Sequence, residues 1–523
     1  MHASSPDERA TFLQHTNTIT HGGGIASPPP FSLDDDPDPD AAFDGRDNNA
    51  GQEQGLLSKP ESQASRRTNR SRFCRLSRRG PKRRLFRLIL KCTLSIVLSL
   101  LVFTPFLAPS YLDPPAHYKR LEQRCAAAYN GPEESINRIH GCANIREERI
   151  FISVSLYDKD GHLAAGEWGE SLIKLVRILG PHLVHVSIYE NDSGRRAASA
   201  LERLRKLLPC HSTVVYDEHV SLDEFANVTM PDGSVRTKRL AYLSEIRNRA
   251  LRPLDTLEGV EGNFFSRVLF LNDVAFRPID AAHLLFNTNV NENDQAQYLS
   301  ACALDYKNPL LFYDLYAQRD AEGFSNGIPI FPIFSTAGKA ESRADMLAQR
   351  DAVRVQSCWG GMVAMRASYL QRNSQSLAHP DVQVPGSHVI NPVNPTAVQV
   401  PADVSRIARI FGAPPSDLGI NVNPYVRVAY DSTTLSRLRI VQRWERLFAL
   451  PQAIISSFSG LPTHNPHRLV REGDKFVEEA RTGRNGLFCG VREMQLLNPA
   501  PREGDKKWEN VAIPPGQALD FPS

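Results

Sequence analysis

Between Cys92 and Ala108 the chain carries no charged residue, a stretch of about 17 residues, the least that a helix needs to cross the hydrocarbon core of a bilayer. The apolar character begins earlier, at Leu85 (LFRLILKCTLSIVLSLLVFTPFL), and Arg87 and Lys91 can reach the headgroups along their own aliphatic stems. The run starts roughly 85 residues into the chain, too late for a cleaved signal peptide. Arg78, Arg79, Lys82, Arg83 and Arg84 stand directly before it, while Ser110 to Pro115 after it bring no positive charge. That asymmetry predicts a single-pass type II protein, N-terminus cytosolic, with membrane contact through residues 85–108. Pro105 and Pro109 are expected to end the helix, and no other segment is long and apolar enough to span.

The anchor divides the rest. Residues 1–84 are rich in Asp, Pro, Gly, Ser and Arg and lack apolar periodicity, as expected of a disordered cytosolic tail. Its basic part, Arg66 to Lys91, holds about a dozen Lys and Arg and no acid, which topology explains without nucleic acid. A formal net charge of +3 over 523 residues gives nucleic-acid binding no further support. Residues 109–148 form an expected stem with a first helical segment. The domain proper is expected over 149–450, followed by a partly disordered C-terminal extension, 451–523, rich in Pro, Gly and charge from about residue 463.

Within 149–450 apolar runs alternate with amphipathic ones. Strands are predicted at 149–156, 183–189, 212–216, 264–271 and 298–304, and helices at 167–179, 195–208 and 239–251. The predicted fold class is therefore α/β with a mainly parallel central sheet. Ligands in such sheets sit beyond the C-terminal strand ends. Here those ends carry Tyr157-Asp158, Glu190 to Gly194, Asp217-Glu218, Asn272-Asp273-Val274 and Asp305-Tyr306. A carboxylate at every strand end suggests a site that holds a cation or organises hydroxyls.

A divalent metal bridging two phosphate oxygens stabilises a diphosphate leaving group, and such a hard cation prefers carboxylate oxygens. Asn272-Asp273-Val274 has the right place for this, as a degenerate Asp-x-Asp motif, although a strand followed by Asn-Asp is often only a turn. Arg247 and Arg249 on the basic helix could reach the diphosphate; the alternative is a solvated helix face. Cys358-Trp359-Gly360-Gly361 offers glycines that let backbone approach a ligand and a ring that packs on a sugar or base, or else a buried turn. Asn191-Asp192-Ser193 and Asn227-Val228-Thr229 are glycosylation sequons, and Asn227, beside an evident turn, is favoured. None of the eight cysteines has a zinc spacing; Cys125 and Cys142 are the candidate disulfide, with two small buried residues as the alternative.

The segments RIFISVSLYD (149–158), SIYENDSG (187–194), LAYLSEIRNRALRPL (240–254), RVLFLNDVAF (267–276), ACALDY (301–306), FYDLYAQRDAEG (312–323), SCWGGMVAMRA (357–367) and INVNPYVRVAYD (420–431), taken in order, resemble the fungal capsule-associated and cryptococcal α-1,3-mannosyltransferase family, glycosyltransferase family 69. The resemblance implies a GT-A-like domain in a Golgi or other secretory-pathway membrane. It implies GDP-mannose as donor, a mannoside or glycan acceptor, retention of the α configuration, and a role in cell-wall, capsule or glycoprotein glycans. It implies a divalent metal on Asp273, with Mn2+ the usual choice for such sites. Tyr157, Glu190, Asp192, Arg247, Asn248 and Asn272 would be donor-site residues, and Asp305 and Trp359 would line the sugar and acceptor pocket as catalytic residues beside Asp273. One departure stands out: the interval PGSHVINPVNPTAVQVPADVSRIARIF lacks the family's acidic, Cys-containing motif. That points to altered specificity or reduced activity, with His388 as a substitute ligand, and it keeps a non-catalytic glycan-binding or scaffold protein of a glycosylation complex as the competing expectation.

Overall fold

The computed structural model describes residues 81–129, 141–225, 227–230, 232–257, 264–370, 419–459, 461, 475–476, 479–482, 493–498 and 507–512. The tail expected over 1–84, apart from its last four residues, lies outside them, as does the interval 371–418 with His388.

Helix α1, Pro81–Leu107, contains the apolar run. Leu85–Leu107 has a mean hydropathy of 2.1, is buried by the protein only near its end, at Thr104 and Pro105, and is the one helix among the described residues long and apolar enough to cross a membrane. The helix does not stop at Pro105 as expected; it runs through it to Leu107. Proline lacks the N–H that would bond the carbonyl four residues back, and that carbonyl, Leu101 O, accepts from Trp444 Nε1 at 3.0 Å. The domain thus supplies the donor that the helix lacks. Ser110 N–H then donates to Gln442 O at 2.9 Å.

Helix α2, Ala116–Tyr129, is docked rather than a loose stem. Tyr118 and Leu121 are buried, and Tyr118 stacks on His283 with ring centroids 4.5 Å apart. The Cys125–Cys142 disulfide forms.

The α/β domain is built on a nine-stranded sheet. Strand β1 (Ile150–Leu156) is followed by α3 (Glu167–Leu179), β2 (Val184–Asn191), α4 (Arg195–Leu207) and β3 (His211–Asp217). A short hairpin, β4 (Asn227–Thr229) and β5 (Val235–Thr237), leads to α5 (Arg239–Leu257), β6 (Arg267–Leu271), α6 (Pro278–Phe286) and β7 (Ser300–Tyr306). Then come β8 (Arg319–Asp320), α7 (Glu341–Leu347), β9 (Val353–Ser357), β10 (Met362–Arg366), β11 (Ile420–Ala429), α8 (Ser432–Val441) and α9 (Ala449–Phe458). The order is β3-β2-β1-β6-β10-β7-β11-β9-β8. The first four strands are parallel, as are β7 and β11; β10 is antiparallel to both its neighbours, and β9 and β8 extend the far edge antiparallel.

Buried central strands must be apolar on both faces. Every residue of β1 is buried: Ile150, Ile152, Val154 and Leu156 pack with Leu172, Leu175 and Val176 of α3, whereas Phe151 enters the opposite core with Leu251 and Leu254 of α5. Helix α3 buries the apolar residues its spacing predicts, Trp168, Leu172, Leu175, Val176 and Leu179, and stops at Gly180, whose φ of 98° suits a residue without Cβ. The C-terminal extension returns to the domain. Two antiparallel pairs follow α9, β12 (Lys475–Phe476) with β13 (Glu479–Thr482), and β14 (Glu493–Leu497) with β15 (Trp508–Ala512). In the second pair Leu496 and Leu497 are buried, Arg236 Nε donates to Leu497 O, and the Arg239 guanidinium lies 4.3 Å from the Trp508 ring centroid.

Candidate active site

The parallel strands β2, β1, β6 and β7 end on one edge of the sheet. Because β10 runs antiparallel between β6 and β7, the segment leading into it, Cys358 to Gly361, arrives at that same edge. Five separate chain segments therefore meet where an open α/β sheet binds ligands.

The Asn272-Asp273-Val274 turn follows β6 and is clamped at both ends. Asn272 N–H donates to Gly361 O at 2.9 Å, and Asn272 O accepts from Trp168 Nε1 at 3.0 Å. Ala275 N–H donates to Ala429 O at 2.7 Å. Asp273 stands half-buried in the middle of this fixed turn. Val274 packs against Gly361 so closely that a Cβ on the glycine would meet its side chain.

The Cys-Trp-Gly-Gly segment is held as firmly. Cys358 is bonded to Cys302 of β7, with their Cα atoms 6.3 Å apart, a pairing that sequence spacing did not reveal. Asp305 lies within β7 rather than after it, is buried, and accepts from Gly361 N–H through Oδ2. A Cβ on Gly360 would fall 2.9 Å from Asp305 Oδ1, so both glycines are required for this approach. Trp359 is buried against Phe270 at 5.3 Å, and the Arg247 guanidinium lies over its ring, 4.7 Å from the centroid. Arg247 is itself buried, so the solvated-face alternative does not describe it. Arg249 is committed elsewhere: it pairs with Glu245 at 3.1 Å and donates to Tyr189 OH at 2.8 Å, near Asp217.

The strand-end acids separate into two groups. Asp158 accepts from Leu163 N–H and Ala164 N–H, shaping the loop after β1. Asp192, at a φ of 63°, accepts from Asn191 Nδ2 and Val220 N–H and contacts His219 Nδ1 at 2.7 Å. These carboxylates serve the loops. Glu190 is different. It is fully buried, Oε1 accepts from Asp158 N–H, and Oε2 has no hydrogen-bond partner within bonding distance among the described residues. Burial pushes its carboxyl up to about 7, against the opposing bonds of Ser193 and Asp158.

Three predicted site residues carry a buried polar atom without a hydrogen-bond partner among the described residues: Glu190 Oε2, Asn248 Oδ1 and Trp359 Nε1. Each such atom costs about 1–3 kcal/mol, and native proteins hold few of them. Tyr157 is buried at the end of β1, with Lys507 Nζ 5.3 Å from its ring centroid, so the C-terminal extension reaches this edge. Asn191 is buried and bonded to Tyr242 OH, which denies it a glycan, whereas Asn227 is exposed.

Two residues at this edge escaped sequence reasoning. Trp168 looked only like a core position of α3, yet its indole N–H fixes the acidic turn. Asp314 follows β7; burial raises its carboxyl to about 7, opposed by Ala317 N–H and by the charges of Arg247, Arg319 and Arg239. Its motif, FYDLYAQRD, marked the segment but not the residue.

Among the described residues no group of three or more His, Cys, Asp or Glu is arranged to hold a metal. A cation that arrives with a diphosphate needs less, one or two carboxylates with the remaining oxygens from phosphate and water. Asp273 fits that donor set. Asp305 fits it less well, because one of its oxygens already takes Gly361 N–H.

The sheet order, the acidic turn after β6 and the residues gathered at the C-terminal edge define an α/β domain with a candidate ligand site beyond the ends of its parallel strands. Residues 149–390 match the family model described as Cryptococcal mannosyltransferase 1. No curated protein matches the chain in sequence. Among solved structures, the mannosyltransferase PcManGT from Pyrobaculum calidifontis in complex with GDP-Man and Mn2+ is 14% identical, with 64% of this chain and 73% of that chain covered and a TM-score of 0.27. A likeness of that size carries no argument about the ligands of this chain.

Proposed function

We propose that this chain is a single-pass type II membrane enzyme that transfers mannose from GDP-mannose to a mannoside acceptor, with retention and an α-1,3 linkage, in a Golgi or related secretory membrane. The match of residues 149–390 to a mannosyltransferase family model supports mannosyl transfer. The observation that carries the reading for this chain is the meeting of the acidic turn with the Cys358-Trp359-Gly360-Gly361 segment, joined by the Asn272 N–H to Gly361 O bond, with the Arg247 guanidinium over Trp359.

Asp273 would hold the divalent metal, with Asn272 keeping the turn in shape through its two main-chain bonds. When bound, that metal, Mn2+ by preference, neutralises charge developing on the leaving diphosphate. Arg247 supplies a second, fixed positive charge in a desolvated setting, where such charges act most strongly. Its place over Trp359 keeps the guanidinium oriented. Trp359 offers its free indole N–H to a sugar hydroxyl. Asp305 acts as a positioning residue, holding the Gly360-Gly361 turn rather than touching the reacting atoms. Glu190, whose carboxyl burial pushes up to about 7, offers Oε2 to a hydroxyl or N–H of the donor. The lack of the acidic, Cys-containing motif in the 371–418 interval supports a second reading, a non-catalytic scaffold.

The full-length chain in detergent, given GDP-mannose with and without Mn2+ and short α-mannosides, tests both. Metal-dependent GDP release that Asp273→Asn abolishes, with unfolding temperature unchanged, is the expected result. A folded protein that neither turns over nor binds GDP-mannose overturns the enzymatic reading in favour of the scaffold.

A further inference from the structure

Helix α9 is built inside out. Its inward face is polar: Gln452 is fully buried and Ser456 nearly so. Gln452 Nε2 donates to Ile333 O at 3.2 Å, Gln452 Oε1 accepts from Arg343 Nη1, and Ser456 Oγ accepts from Ile328 N–H at 3.0 Å. Gly327 makes room for this contact, since a Cβ there would lie 2.4 Å from Gln452 Nε2. The outward face is apolar. Leu450, Ile454 and Phe458, four residues apart on one stripe, are 70%, 46% and 88% exposed, and Ile455 beside them is 42% exposed. A surface helix in water shows the opposite pattern. From Leu447 to His464 there is no charged residue.

The helix follows directly on the turn where α1 meets the domain. Trp444, five residues before α9, bonds Leu101 near the end of α1, and Gln442 accepts from Ser110 just beyond it. Glu445 in that turn pairs with Arg427 of β11 in a buried bidentate contact, fixing the turn to the sheet. The exposed stripe is thus rigidly tied to the point at which the apolar helix ends.

We infer that α9 is an interfacial membrane helix: Leu450, Ile454, Ile455 and Phe458 enter the acyl boundary of the leaflet in which α1 ends, seating the α/β domain on the bilayer. The inference rests on the reading of α1 as a membrane span. Trp444, at the junction, has the amphipathic character typical of that depth.

The test uses the full chain with Cys74, Cys92, Cys210 and Cys489 replaced by Ser, reconstituted in vesicles of phosphatidylcholine. Single nitroxide labels are placed at Phe458→Cys, at Val97→Cys within α1, and at Glu202→Cys on the exposed face of α4. Accessibility to dissolved oxygen and to a water-soluble nickel chelate is read for each. The Phe458 label should show a several-fold higher oxygen-to-nickel ratio than the Glu202 label, and a lower one than Val97. A Phe458 label as open to nickel as the Glu202 label overturns the proposal while leaving the span intact. Shielding of Phe458 from both reagents overturns it too, because protein, another segment or a second copy, then covers the face. A Val97 label open to nickel removes the span and the inference with it.

Discussion

Gly361 rests directly on Val274: a Cβ on the glycine would fall 2.4 Å from Val274 Cγ1. That contact joins the acidic turn after β6 to the Cys-Trp-Gly-Gly segment before β10. Gly361→Ala should therefore push Asp273 and Trp359 apart, costing about 1–3 kcal/mol of stability and, through misplacement, about tenfold or more in turnover. Val274→Ala in the same chain should restore much of both. Denaturant unfolding and GDP release on the single and double variants measure it; equal loss in both variants would contradict the contact as the cause.

The Cys302–Cys358 bond closes a loop with a sequence separation of 56 residues. Replacing both cysteines by Ser should lower stability by ~4 kcal/mol on the chain-entropy account. It should also weaken donor binding more than Cys125→Ser with Cys142→Ser, whose bond lies far along the chain from Trp359. Urea midpoints and a binding titration with GDP-mannose decide between the pairs.

Glu190 is raised from 4.5 to about 7 by burial. Between those values the folded chain keeps a proton that the unfolded chain has released. The stabilisation is whole below about pH 4.5 and is lost as pH rises through about 7. Glu190→Gln is neutral throughout, so relative to the parent it should gain about 2–3 kcal/mol between about pH 5 and 8. Asp314, also raised to about 7, will leave part of the fall in place. Urea midpoints measured against pH show whether the slope flattens; an unchanged slope means that Glu190 is ionised throughout.

Trp444→Phe removes the donor that meets Leu101 O opposite Pro105. A carbonyl left without a partner there should cost about 1–3 kcal/mol. Hydrogen exchange at the Ser110 amide, which donates to Gln442 O beside that junction, should quicken in the variant. Exchange at the parental rate would show that the junction does not depend on this bond.

Much of the molecule could be read locally. The anchor follows from an uncharged length, and β1, α3, β2 and α4 follow from runs and spacings that a short window contains. The acidic turn was visible because a buried strand and its first polar residues are contiguous. Helix α4 shows the limit of such reading: helical spacing puts Leu207 on one face with Leu201 and Leu204, yet it is 65% exposed, because Ala197, Ala200, Leu201 and Leu204 form the face that packs.

What the sequence determined by itself is this set of elements, the span, and the gathering of acids at strand ends, all properties of near neighbours in the chain. Only the tertiary structure decided which acids are spent on loops and which face outward, that β10 inserts antiparallel and carries Trp359 to the edge, that Cys302 meets Cys358, and that α9 turns its polar side inward. Each of these depends on partners tens to hundreds of residues away, where backbone hydrogen bonds and packing, not local propensity, choose the pairing.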